Sequence, residues 1–135
     1  MTLRFLGEVA PSEDVRQRGA WRRAVAAHPA IGFDVVGLGS FGAGSRPRVL
    51  WAVVTRIVPD GTLDRLAADL EVAARGLGFA PEPRAFEPHL TLARASRDGR
   101  PSLPPPLAAP IATGLRAEDV VLFRQAKGGV PAFII

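Results

Sequence analysis

A chain of 135 residues and 14.3 kDa is about one ordinary domain long and can bury one sizeable core. With 47% hydrophobic residues, 22% charged residues and no cysteine, it excludes a disordered tail, a collagen-like chain, a disulfide framework, a zinc ribbon and a thiol nucleophile. The net charge is +4, and arginine accounts for every basic residue but Lys127; compositional bias and a solvated surface explain this first, and an anionic partner is compatible with it.

Along the chain, Thr2-Leu3-Arg4-Phe5-Leu6-Gly7-Glu8-Val9 opens with Leu3, Phe5 and Val9 on one parity, which predicts a strand. Pro11 and Ser12 stop it. Ser12 is a good N-cap, with Glu13 and Asp14 in the next turn, so a helix is predicted over 13–27, ending before Pro29. A short strand is predicted over 32–38, then a Gly/Ser/Arg loop over 39–47. The β-branched and apolar run over 48–55 is the strongest strand and reads as buried on both faces or nearly so. Pro59-Asp60-Gly61 makes a turn and Thr62 is expected to cap a second helix. In that helix Leu63, Leu66, Ala67, Leu70, Ala74 and Leu77 form one buried stripe, and Gly76 and Gly78 offer stops. Glu87-Pro88 leads into a strand over 89–95. The proline-rich stretch over 96–110 reads as a loop or irregular linker. The end reads as a hairpin: a strand over 120–124, a Lys127-Gly128-Gly129 turn and a strand over 130–135, with Pro131 placing the last strand at an edge. The sum is a mixed α and β protein. No run approaches the roughly 18 apolar residues of a membrane span, and no basic-then-apolar leader is visible, so a cytoplasmic protein without membrane contact is expected.

Two segments share a signature. Aligning Thr2 with Thr91 also aligns Leu3 with Leu92, and the partner of His89 then falls one position before Met1. Residues two apart on a strand point to one face, so His89-Leu90-Thr91 places an imidazole beside a hydroxyl. The hydroxyl can donate to a phosphate oxygen while the imidazole takes or gives a proton near neutral pH. Two such pairs facing each other would supply a base, an acid and two phosphate-holding hydroxyls without a metal. The same residues also fit a structural or merely exposed histidine. His28, before Pro29, reads as a surface residue near a helix C-terminus.

These segments resemble the two-histidine phosphoesterase superfamily, specifically the bacterial RNA 2′,3′-cyclic phosphodiesterases once named 2′-5′ RNA ligases (LigT-like). Residues 2–9 resemble the first motif, normally His-x-Thr-Leu-Lys/Arg-Phe-Leu-Gly. Arg46-Pro47-Arg48-Val49-Leu50-Trp51 resembles the central strand. Gly78-Phe79 and Phe86-Glu87-Pro88-His89-Leu90-Thr91-Leu92-Ala93-Arg94 resemble the second motif and its lead-in, and Val120-Val121-Leu122-Phe123-Arg124 the late strand. The resemblance implies a bilobal α+β fold, with two pseudo-symmetric, antiparallel-rich sheets flanking a cleft. It implies hydrolysis of RNA 2′,3′-cyclic phosphate ends to 2′-phosphates, with RNA 3′ ends or nucleotide cyclic phosphates as partners and with neither cofactor nor metal. His89 would be half of the acid–base pair. Thr91 would hold a phosphate oxygen, and Thr2 would do so from the other lobe. Arg94 would contact phosphate, although a regular strand aims it away from His89 and Thr91, so a bulge or a strand end is required. Phe86 would be core or a base-stacking surface, and Arg48 structural.

The sequence departs from the family pattern at its front. The first strand, the first helix and the first motif's histidine are not in it, and the proline-rich stretch stands where a late helix is expected. A late-called start, a truncated gene and an artificial cut compete as explanations. The first is favoured because the break falls inside a motif rather than in a linker; a His codon immediately upstream would support it. The expectation is a single, N-terminally incomplete domain over 1–135 with impaired catalysis and an uncovered sheet edge that invites self-association. The alternatives are a non-catalytic binder of RNA ends or nucleotides, and a related phosphoesterase acting on a small cyclic phosphate.

Overall fold

The computed structural model describes residues 1–7, 14–42, 48–95, 110–123 and 132–134. Helix α1 (Asp14–Ala26) is followed by β1 (Ile31–Phe41), β2 (Val49–Val58), α2 (Thr62–Gly76), β3 (His89–Arg94), β4 (Ala112–Ala117), β5 (Val121–Phe123) and β6 (Ala132–Ile134). Four strands form one antiparallel sheet in the order β3-β2-β1-β4, and β5 pairs antiparallel with β6 in a second. The α+β class and the antiparallel sheets are therefore as expected. Among the described residues, no helix is long and apolar enough to cross a membrane.

The apolar stripe of α2 builds the core. Leu63, Leu66, Leu70 and Ala74 are buried with Trp21 of α1 and Ile31 of β1, and Ile57, Phe79, Phe86, Val120 and Leu122 pack against them. Truncating a fully enclosed leucine such as Leu63 to alanine costs about 2–5 kcal/mol. The helix ends in a Schellman arrangement: the N–H of Phe79 donates to the Ala74 carbonyl and that of Gly78 to Arg75. Gly78, at φ +91°, takes the left-handed conformation that this ending needs.

Several sequence expectations are corrected. Residues 1–7 form no strand, because they have no ladder partner among the described residues. Leu3 and Leu6, half-buried, turn to the core while Phe5 is 72% exposed, so the spacing of core-facing residues is three, not two. Arg4 holds the segment, donating from Nε to Glu71 of α2 at 2.6 Å and from its other nitrogens to the carbonyls of Phe5 and Ala80. Strand β1 continues through Gly39 to Phe41, into the expected loop, because these residues pair with Trp51 to Val49 of β2. Thr62 does not cap α2. Gly61 occupies the cap at φ 66° without a side-chain hydrogen bond, and Thr62 is buried inside the first turn, where its hydroxyl accepts from Arg65. Strand β4 is an addition to the expected elements; its sequence Ala-Thr-Gly-Leu-Arg-Ala lacks a β-branched run, and pairing with β1 makes it a strand. His28 is more than a surface residue. Its side chain is 9% exposed and its Nε2 lies 2.8 Å from Asp69 of α2, tying the end of α1 to the second helix. The pairing of the final two strands is as expected. Ser12, the stretch 96–109, the Lys127-Gly128-Gly129 turn and Pro131 lie outside the described residues.

Candidate active site on the open face of the large sheet

Residues directly opposite in an antiparallel ladder share a face. His89 stands opposite Val53, Thr91 opposite Trp51 and Arg94 opposite Val49. On the other side of β2, Gly37, Gly39 and Phe41 oppose the same three residues. One face of the sheet thus carries His89, Thr91 and Arg94 on β3, above Trp51 and beside Phe41. The other face holds Val35, Ala52 and Val54, all buried.

Arg94 joins this set only through an irregularity. The register slips between Leu50 and Trp51, so that β3 runs from Thr91 to Ala93 across a single step of β2. Leu92 is the extra residue, 54% exposed. This is a β-bulge. It reverses the parity of the rest of the strand and brings Arg94 to the face of His89 and Thr91, the condition on which a phosphate contact by Arg94 depends. Thr91 and Arg94 are exposed and His89 half-buried, so the face is open to a ligand.

The imidazole is held on two sides. Its Nδ1 lies 2.7 Å from the carbonyl oxygen of Glu87. A carbonyl only accepts, so in the neutral ring Nδ1 carries the proton and Nε2 presents a lone pair. Trp51 and Phe41 stack at 5.0 Å between centroids, and the His89 ring stands edge-on to both, at 5.8 Å and 5.2 Å. The indole lies against the backbone of Gly39, where an added Cβ would meet its Cε2 at 2.6 Å. Any larger side chain at position 39 displaces the ring that braces His89.

The other expected site residues lie elsewhere. Thr2 is exposed in the segment 1–7, which joins the helix core through Leu3 and Leu6 and is not part of the sheet. Phe86 is half-buried against that same core. Of the two histidines, His28 is engaged with Asp69 between the helices, so the sheet face holds one imidazole. Phe41 and Trp51 are neighbours of the His89 ring that the sequence does not reveal. Their parity is visible there, but the register that sets both against His89 is not. Among the described residues, no three His, Cys, Asp or Glu side chains are grouped to hold a metal ion. A groove of about 560 Å³ between α1 and α2 is lined by helix residues such as Ala24, Val72 and Leu77 and by none of the site residues.

A family model described as LigT-like phosphoesterase matches residues 57–131, more than half of the chain and the part that contains β3. The chain belongs to this LigT-like family. It is 31% identical, over 98% of its length and 42% of the relative's, to an RNA 2′,3′-cyclic phosphodiesterase of Geobacillus stearothermophilus. It is 39% identical, over 70% of its length and 51% of the relative's, to an RNA 2′,3′-cyclic phosphodiesterase of Aeropyrum pernix. The chain thus spans about half the length of these two relatives or less. The solved structure of E. coli LigT complexed with 3′-AMP superposes with a TM-score of 0.65 at 25% identity, covering 99% of this chain and 72% of that one. The LigT-like fold expected from the motifs is therefore the fold observed.

Proposed function

We propose that this LigT-like chain hydrolyses RNA 2′,3′-cyclic phosphate ends to 2′-phosphates, using His89 as its acid–base group and no metal. The observation that carries the reading is the single open face on which the bulge at Leu92 unites His89, Thr91 and Arg94. The names of the two relatives and the nucleotide bound to E. coli LigT support it.

In the proposed reaction a water oxygen forms a bond to phosphorus and the bond from phosphorus to O3′ breaks. One proton leaves the water and one arrives at O3′. Nε2 of His89 performs one of these transfers. The Thr91 hydroxyl donates to a non-bridging oxygen, and the Arg94 guanidinium offsets the charge that builds there. Thr2 supplies a second hydroxyl from the N-terminal segment in this reading, and Phe86 anchors the lead-in to His89. With one imidazole on the face, the 135-residue chain turns over slowly, because a second positioned acid or base contributes about 10²–10⁴-fold.

The test uses an RNA oligonucleotide ending in a 2′,3′-cyclic phosphate. His89→Ala is expected to lower the rate by about 10²–10⁴-fold, and added imidazole to accelerate the parent chain. An unchanged rate in His89→Ala removes His89 from the mechanism. The single imidazole on the face also favours a second reading, in which the chain binds RNA ends without turning them over; its signature is salt-weakened binding with no product. Faster turnover of cyclic mononucleotides than of RNA ends would point to a small-molecule substrate. Self-association through a sheet edge belongs to the same proposal, since the β5–β6 sheet has only two strands among the described residues. A monomer in sedimentation at micromolar concentration would remove it.

A further inference from the structure

The open face continues past His89 to the opposite end of the sheet, where two irregularities close on one carboxylate. Asp34 of β1 stands opposite Thr55, on the face that carries Val53, Trp51 and His89. Beside it, two residues of β2, Arg56 and Ile57, oppose Phe33 alone, and two of β4, Thr113 and Gly114, oppose Asp34. The Asp34 side chain is 9% exposed. One oxygen accepts from the N–H of Gly114 at 2.7 Å, and the other lies 3.3 Å from Nε of Arg56.

Arg56 has two properties that ordinary sheet packing does not require. Its backbone is left-handed, at φ 49°, a conformation that is uncommon for a residue with a side chain and that concentrates at functional sites. Its side chain is 80% exposed although its Nε faces a buried anchor. The two terminal nitrogens have no protein partner among the described residues, so they present a fork of donors over the face, as an arginine does for phosphate. Two other exposed arginines, Arg84 and Arg116, are instead paired with the accessible carboxylates Glu82 and Glu118. By strand geometry, Arg56 is roughly 10 Å along β2 from Val53, which faces His89, and roughly 17 Å from Trp51, which faces Thr91. It is therefore too far to share the phosphate held by Thr91 and Arg94, yet near enough to meet the next one along an RNA strand.

We propose that the Arg56 guanidinium, oriented by Asp34, is a binding site for the phosphate adjacent to the terminal cyclic phosphate, so that the chain selects oligonucleotide ends over cyclic mononucleotides. The inference rests on the function proposed above. Arg56 is a positioning and specificity residue, with no part in bond breaking.

Arg56→Gly tests it while respecting the fold, because glycine suits φ 49°. Arg84→Gln removes an equal charge elsewhere and serves as control. Binding of an RNA oligonucleotide with a 2′,3′-cyclic end and of a cyclic mononucleotide would be followed by competition across a salt series. Arg56→Gly should weaken oligonucleotide binding about five- to tenfold, lower the slope of log affinity against log salt by about 0.7, and leave mononucleotide binding unchanged. Arg84→Gln should leave the ratio of the two affinities as it is. Equal losses for both ligands, no loss for the oligonucleotide, or a matching effect of Arg84→Gln would overturn the inference and leave the proposed activity standing. A parent chain that neither binds nor cleaves RNA ends overturns both.

Discussion

Residues 2–3 and 91–92 carry the same Thr-Leu pair, and the fold treats them differently. The second copy lies in β3, laddered to β2, with Thr91 two residues from a braced imidazole and Leu92 pushed out as a bulge. The first copy has no ladder among the described residues; its leucine turns to the helix core and Arg4 ties it to Glu71. Sequence likeness alone does not make a site. A strand fixes which side chains share a face only when a neighbour fixes its register.

The most severe way to break the contrast is to remove the charge that the bulge brings to the face of His89. Arg94→Gln does so without disturbing the register of β3 on β2. Loss of a charged donor to the phosphate is worth about 1.5–3 kcal/mol, so KM for an RNA end should rise about tenfold to a hundredfold. An unchanged KM in Arg94→Gln would show that Arg94 does not contact substrate. A second strike is at the brace. Gly39→Ala forces Trp51 away, with overpacking costing about 1–3 kcal/mol and turnover falling because His89 loses its edge contact. A thermal melt beside a rate measurement separates the two effects.

The comparison is sharpened by paired hydroxyl removals. Thr91→Val should raise KM a few-fold, in line with the ~0.5–1.5 kcal/mol of a neutral hydrogen bond. Thr2→Val matches it only if residues 1–7 approach the substrate, so a null effect would confine the site to the sheet. The mildest probe is acid. The Arg84 side chain, hydrogen-bonded to Glu82, holds that carboxyl below its ordinary range, and Arg4 adds to the effect. A lowered pKa contributes stability above the ordinary carboxylate range and loses it as pH falls through the lowered value. Acidification should therefore loosen the Arg4–Glu71–Glu82 cluster that secures residues 1–7. The Tm difference between parent and Glu82→Gln should shrink on acidification; a constant difference would speak against it.

Much of this is legible in residue order. The stripe Leu63, Leu66, Leu70 and Ala74 announces the helix that builds the core, because its 3–4 spacing has one geometric solution. His89 and Thr91 announce a shared face, because a strand's period is two. The same rule fails for residues 1–7, where Leu3 and Phe5 suggest a strand that has no partner, and for β4, whose modest propensity is overruled by pairing with β1. Phe41 and Trp51 lie on strands separated from His89 in sequence, so no local spacing could place them against its ring. Asp34 and Arg56 are equally silent, since the bulges that join them exist only between strands.

By itself, then, the sequence determined the α+β class, the helical core and the imidazole–hydroxyl pair, all set by periodicities within single segments. The tertiary structure alone decided that Arg94 belongs with that pair, that Thr2 lies outside the sheet, and that a buried aspartate presents Arg56 on the open face. Each depends on strand register, a relation between distant segments, and one inserted residue is enough to reverse which face a side chain occupies.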